Sequence, residues 1–150
     1  MKLDGKFILL AEDDPNDVFF FGRALGKLGF PAAGLQVVND GEIAVAYLSG
    51  EGQYADRKLY PVPSMIFLDL KMPRKTGMEV LAWLREQPAR TSLPVVVLTS
   101  SKHSLDIEEA YRLRANSYLI KPVRVEELVE ILRTAITYWL TMNKTPQSVF

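Results

Sequence analysis

Four groups of polar residues each stand directly after a short apolar run: Glu12, Asp13 and Asp14; Asp69; Thr99 and Ser100; and Lys121 with Pro122. Carboxylates brought together from two such places repel one another unless protons or a cation compensate, and a hard divalent ion does so most economically. Mg²⁺ suits the donors available, because it takes one or two protein carboxylates, keeps several waters and completes its octahedron with phosphate oxygens. Asp13 and Asp69, with a neighbouring backbone carbonyl, can supply that set. Helix capping accounts for Asp14 but poorly for Glu12 and Asp13.

A carboxylate held beside Mg²⁺ can attack a phosphorylated donor and become an acyl phosphate, and Asp69 is the candidate nucleophile. The transferring phosphoryl group spreads negative charge over three equatorial oxygens, so a metal, an ammonium and a hydroxyl around it supply most of the catalysis. Lys121 and Thr99 fit the last two places. Taken singly, they read as a solvated lysine and a strand-end threonine; their placement after separate strands gives the set its meaning. His103, the one histidine, follows the fourth apolar run and reads as a solvated loop residue. A phosphohistidine donor would then belong to another protein.

For these residues to meet, the apolar runs before them must lie side by side. Five runs of strand length occur, at Phe7 to Ala11, Leu35 to Val38, Met65 to Leu68, Val95 to Leu98 and Ser117 to Ile120. Helix-length segments with 3.6-residue periodicity separate them. Such alternation predicts right-handed crossovers and a parallel sheet covered on both faces, an α/β fold that binds ligands beyond the carboxyl ends of its strands. Asp14 and Pro15 open a first helix with the core stripe Val18, Phe21, Leu25 and Leu28, and Gly29 with Pro31 closes it. Gly41 and Gly50 bracket a second helix. Gly77 to Gln87 form a third, Leu105 to Arg114 a fourth, and Val125 to about Met142 a fifth. The fifth keeps Val125, Leu128, Val129, Leu132, Ile136 and Trp139 on one face. Gly50 to Pro63 reads as an ordered surface loop.

Composition narrows the class. A chain of 150 residues, 48% hydrophobic and 24% charged, has the size of one globular domain with a sizeable core. Residues 1–143 are expected to form it, with 144–150 as a short tail. Lys plus Arg and Asp plus Glu both number 18, so nothing overall favours nucleic acid as a partner. There is no cysteine, the opening MKLDGKF lacks the apolar region of a secretory signal, and no apolar run nears the roughly 18 residues of a membrane span. A soluble cytoplasmic protein with no membrane partner is expected. With Asn143 to Phe150 alone after the fifth helix, no DNA-binding or catalytic domain is expected there, and output would come through surface association.

Taken in order, ILLAEDD, IFLDLKMPRKTG, VVVLTSS and SYLIKP resemble the response-regulator receiver family of two-component signalling, over nearly the whole chain. The thirty positions from Asp69 to Thr99 and the twenty-two from Thr99 to Lys121 match the family's spacing. The resemblance implies a flavodoxin-like, doubly wound sheet of five parallel strands in the order 2-1-3-4-5, with five helices. It implies that a sensor histidine kinase phosphorylates Asp69. Glu12 and Asp13 would be the acid pair at Mg²⁺, Glu12 through water, and the backbone carbonyl of Lys71 would also face the ion. Thr99 and Tyr118 match the switch pair, in which the hydroxyl moves toward the phosphoryl group and the aromatic ring turns inward. Lys121 matches the phosphate-contacting lysine, with the Lys121–Pro122 bond expected to be cis. Such a protein is a phosphoacceptor that takes part in its own phosphotransfer and dephosphorylation, not an enzyme in the ordinary sense. More narrowly, YADRKLYP and TYWL resemble the single-domain regulators paired with bacterial phytochromes, which makes a bacterial phytochrome the expected kinase. Lys71 departs from the Asn often found two positions after the phosphoacceptor in that subgroup, so the subgroup's phosphoryl lifetime does not carry over.

Rival readings fail on particular residues. A haloacid-dehalogenase-type phosphatase needs a second Asp where Lys71 stands, and a flavodoxin needs a Ser/Thr/Gly-rich loop where this chain has AEDDPND. No GxxxxGKS or GxxxxGKT occurs either. The remaining alternative is a receiver-fold binding module that no longer responds to phosphate; retention of Glu12, Asp13, Asp69, Thr99 and Lys121 argues against it. Phe19 and Phe20 fall off the core stripe of the first helix and suggest a kinase-docking surface. Ile131, Ala135, Tyr138 and Met142 form a second apolar line on the fifth helix, about 100° from the core stripe. That line suits a homodimer contact, or packing under the tail with Val149 and Phe150.

Overall fold

The computed structural model describes residues 5–146. Five strands, β1 Ile8–Ala11, β2 Leu35–Val38, β3 Met65–Leu68, β4 Val95–Thr99 and β5 Ser117–Ile120, form one sheet in the order β2-β1-β3-β4-β5, with every pair parallel. The connecting helices are α1 Pro15–Lys27, α2 Gly41–Ser49, α3 Gly77–Glu86 and α4 Ser104–Arg112, and α5 Val125–Ile136 follows β5. This is the expected doubly wound, flavodoxin-like arrangement.

The runs ILLA, MIFL and VVVL are rich in residues that favour extended backbone, and they carry no polar side chain on either face. β1, β3 and β4 are accordingly buried throughout. Alternate residues divide between two cores. Leu9, Ala11, Ile66, Leu68, Val95 and Val97 face one, completed by α2, α3 and α4, while Ile8, Leu10, Met65, Phe67, Val96 and Leu98 face the other, completed by α1 and α5.

Register decides which residues leave the sheet together. Ala11 lies opposite Leu68, so β1 and β3 end side by side, and the Asp69 N–H still donates to the Ala11 carbonyl at 3.0 Å. Thr99 lies opposite Ile120 in the same way, and the Lys121 N–H donates to the Thr99 carbonyl at 2.8 Å. The helices start where their caps direct: the Asp14 carboxylate accepts from the Asn16 N–H at 2.8 Å, with Pro15 in the first turn, and Thr76 and Glu79 form a reciprocal capping box on α3. α1 buries Phe21 and Leu25, with Val18 and Leu28 half-buried at the ends of the expected stripe.

The fifth helix departs from a continuous α-helix to Met142. α-Helical geometry ends at Ile136, and Thr137–Met142 form a π-helical turn in which the Asn143 N–H donates to the Tyr138 carbonyl at 2.7 Å. Leu140, one turn beyond Ile136 on the same stripe, is buried there, and Trp139 is half-buried beside it. The Gly50 to Pro63 loop is ordered from within: Arg57 donates to the carbonyls of Tyr47 at 2.8 Å and Leu48 at 3.1 Å, the end of α2. The rings of Tyr47, Tyr54 and Tyr60 pack with centroids 5.0–6.1 Å apart. Among the described residues, no helix is long and apolar enough to cross a membrane.

Candidate functional site

Strand alternation carries one residue past the strand ends. Glu12, Asp69 and Lys121 continue the positions that face α1 and α5, whereas Thr99 and Tyr118 belong to the face covered by α2, α3 and α4. The first three therefore meet. The Lys121 ammonium lies 2.5 Å from a Glu12 carboxylate oxygen and 2.9 Å from one of Asp69. A third acceptor, Asp17 at 2.8 Å, comes from the first turn of α1. Glu12 and Asp69 are buried and Asp13 is exposed, yet carboxylate oxygens of all three lie within 4.8 Å of one another.

The backbone steadies both buried acids. The Lys71 N–H donates to Asp69 Oδ1 at 3.3 Å, and the Asp14 N–H to Glu12 Oε2 at 3.2 Å. Gly77 and Gly41 do more than bracket helices. A β-carbon on Gly77 would lie 2.1 Å from the Asp69 carbonyl oxygen, and one on Gly41 would lie 1.8 Å from that of Lys75, so the starts of α3 and α2 approach the site loop more closely than any other residue allows.

Burial pushes the Glu12 carboxyl up to about 7; the hydrogen bond from Lys121 opposes this, and the neighbouring charge of Asp69 adds to it. For Lys121, burial alone would lower the pKa, but hydrogen bonds to Asp17, Glu12 and Asp69 outweigh it and raise the ammonium above its ordinary value. One lysine thus serves three carboxylates and leaves them short of neutral. That surplus of negative charge, with Asp13 open to solvent, fits a hard divalent cation that keeps part of its water shell.

Thr99 is fully buried, and its hydroxyl accepts from the Ser101 N–H at 3.5 Å. The Tyr118 hydroxyl donates to the Ser101 carbonyl at 2.9 Å, and its ring packs half-buried on the core beneath α2, α3 and α4. The Lys121–Pro122 bond is trans, which corrects the expectation of a cis bond. Trans is favoured for X–Pro by about 0.5–1 kcal/mol, and the flexible lysine stem reaches Asp69 from it.

His103 is exposed at the start of α4, as expected of a loop residue. Phe19 and Phe20 are 63% and 42% exposed and pack edge to face, with centroids 5.8 Å apart. On α5, Ile131 and Ala135 are half-buried and Tyr138 and Met142 exposed; Leu119, Ile131, Ala135, Tyr138 and Trp139 line a groove of about 540 Å³. Asp17 is the site residue that sequence reasoning misses. An acid in a first helical turn is an ordinary dipole partner, and only the fold brings this one to a lysine 104 positions away.

A doubly wound sheet with an acid cluster after β1, an aspartate after β3 and a lysine after β5 defines a receiver-type domain, and the chain belongs to the response regulator receiver domain family, which it matches over residues 8–133. It is similar to the response regulator Rcp1 of Synechocystis sp., with 36% identity over 94% of this chain and 93% of Rcp1. The probable methanogenesis regulatory protein FilR2 of Methanothrix harundinacea is also 36% identical, over 95% of this chain and 89% of that protein. Among solved structures, the phosphorylated cyanobacterial phytochrome response regulator RcpA superposes with a TM-score of 0.85 at 36% identity, covering 95% of this chain and 99% of that one. The Mn²⁺-bound form of Rcp1 superposes with a TM-score of 0.81 at 33% identity, again over 95% and 99%. The chain is a two-component receiver related to phytochrome response regulators.

Proposed function

We propose that this receiver accepts a phosphoryl group on Asp69 from a phosphohistidine of a sensor histidine kinase, with Mg²⁺ held by Asp13, Asp69, the Lys71 carbonyl and, through water, Glu12. The observation that carries the reading is the meeting of Asp69 with Glu12 and Asp13, carboxylate oxygens within 4.8 Å of one another, beside a lysine ammonium 2.9 Å from Asp69. The Mn²⁺ form of the relative Rcp1 supports the metal.

A carboxylate oxygen of Asp69 forms the new bond to phosphorus as the P–N bond breaks, and the leaving imidazole takes up a proton. Mg²⁺, when bound, supplies positive charge against the phosphoryl oxygens. Lys121 stays protonated beside Asp69, so its ammonium can turn to a phosphoryl oxygen without leaving the site. The Thr99 hydroxyl moves toward the same group and gives up the Ser101 N–H. Because Tyr118 is bonded to the Ser101 carbonyl, that movement reaches the surface between α4 and β5. Water later hydrolyses the acyl phosphate in the same site, so the protein acts as a phosphoacceptor rather than an enzyme with a separate substrate.

The exposed Phe19 and Phe20 on α1 form the kinase-docking face, and the phytochrome relatives make a bacterial phytochrome the expected kinase in the cytoplasm. The groove along α5 forms a homodimer contact that phosphorylation strengthens. Val149 and Phe150, whose packing under α5 is the alternative, lie outside the described residues. Incubation with acetyl phosphate and Mg²⁺ tests the central reading. Incorporation of one phosphoryl group, lost with EDTA and in Asp69→Asn, is the expected result; transfer that survives either change overturns it.

A further inference from the structure

An ammonium has three N–H bonds, and the fold gives Lys121 three carboxylates: Glu12 at 2.5 Å, Asp17 at 2.8 Å and Asp69 at 2.9 Å. The three acceptors are not equivalent. Glu12 and Asp69 belong to the cluster that fits a divalent cation, whereas Asp17 stands outside it. Asp17 also comes from α1 rather than from the sheet edge, and its side chain is 37% exposed against 4% for Glu12 and 8% for Asp69. An ammonium seated between Glu12 and Asp69 neutralises the oxygens that a cation needs, and the two positive charges repel strongly at such distances.

Resting on the reading of the site given above, we propose that Asp17 is a positioning residue for Lys121. Asp17 gives the ammonium a partner outside the metal set, so Lys121 can yield the Glu12 and Asp69 oxygens to a divalent cation while it stays charged and inside the site. Without Asp17 the ammonium has only Glu12 and Asp69 as acceptors and competes with the cation for both. The ordinary role of an acid in a first helical turn, interaction with the helix dipole, carries no dependence on Lys121. Coupling between the two residues is therefore the property that discriminates.

Isothermal titration with Mg²⁺ on the wild type, Asp17→Ala, Lys121→Met and the double variant forms a double-mutant cycle. Asp17→Ala is expected to weaken Mg²⁺ binding about tenfold when Lys121 is present and less than about twofold in the Lys121→Met background, a coupling within the range found for contacting charges. Asp17→Glu should restore most of the affinity. Equal loss in both backgrounds would assign Asp17 to the general field of the acid cluster, and no loss in either would leave it a helix-dipole partner; both outcomes overturn the proposal. Should Asp17→Ala lower the unfolding midpoint, the same cycle read with Asp17→Asn decides, because its amide keeps the local hydrogen bonding without the charge. A wild-type protein that binds no Mg²⁺ would overturn the reading of the site itself, whereas Mg²⁺ binding without coupling overturns only the role of Asp17.

Discussion

Gly77 begins α3 so close to Asp69 that a β-carbon there would lie 2.1 Å from the Asp69 carbonyl oxygen. Its own N–H donates to the Leu70 carbonyl at 3.0 Å, so helix and site loop are held together as well as pressed together. Gly77→Ala must force them apart, at a cost of about 1–3 kcal/mol in stability, as overpacking usually does. The displacement also moves Asp69 relative to Glu12 and Lys121. Phosphorylation by acetyl phosphate should then slow roughly 10- to 100-fold, the penalty for a misplacement on the order of an ångström. Urea unfolding and a time course of phosphorylation check the two parts; wild-type values in both would mean that α3 shifts without disturbing the site.

Lys71 is exposed while its N–H is anchored on Asp69 Oδ1, so a long cationic side chain leaves the chain at the rim of the site. Such a side chain can cover the acyl phosphate and hinder attacking water. Lys71→Asn should speed loss of the phosphoryl group several-fold, on the order of 1 kcal/mol in the barrier. Decay of the purified phosphoprotein measures this, and an unchanged rate would return Lys71 to the status of a solvated lysine.

The α5 groove makes the assembly state testable. Glutamates placed at Ile131 and Tyr138 would be desolvated in an interface but stay hydrated on a free surface. Ile131→Glu with Tyr138→Glu should keep the protein monomeric whether or not it carries an acyl-phosphate mimic, while the wild type dimerises more strongly with the mimic. Sedimentation across a concentration series reads the difference. A wild type that stays monomeric throughout, or a double variant that dimerises as before, rules this face out.

Alkaline stability depends on Tyr47. It is 1% exposed, its hydroxyl donates to the Pro61 carbonyl at 2.7 Å, and burial pushes its phenol up to about 12. The folded chain thus holds this proton more tightly than the unfolded chain, where a phenol titrates near about 10. The resulting stability is fully present below about pH 10 and is lost as the pH rises through about 12. Its size is about 2–3 kcal/mol, at about 1.4 kcal/mol per unit of pKa. Tyr47→Phe should lose about 1 kcal/mol near neutrality, through the unpaired Pro61 carbonyl, and should lack this alkaline decline. Denaturation midpoints followed from neutral to about pH 11 compare the two proteins, and parallel curves would count against Tyr47 as the titrating group.

A parallel sheet covered on both faces favours apolar strands, so the first charged or hydroxyl residue after an apolar run marks the carboxyl edge of the sheet, where Thr99 is still the last residue of β4. That made Glu12, Asp69, Thr99 and Lys121 legible from the sequence alone, together with the fold class and the helix starting at Asp14. The contacts of Asp17, Gly77 and Arg85 were not legible, because each has a complete local reading: a dipole partner, a helix-start glycine and a solvated helix arginine. In the folded chain Arg85 is buried and donates to the carbonyls of Thr91, Leu93 and Arg114 and to the Asn116 side chain. The trans Lys121–Pro122 bond and the π-helical turn at Thr137–Met142 belong with these. The two isomers of an X–Pro bond differ by only about 0.5–1 kcal/mol in local preference, so the surrounding packing can select either. Local pattern reports burial, which every residue of a strand shares with its neighbours; which side chain touches which depends on strand register and helix docking, and these are set by the whole core at once.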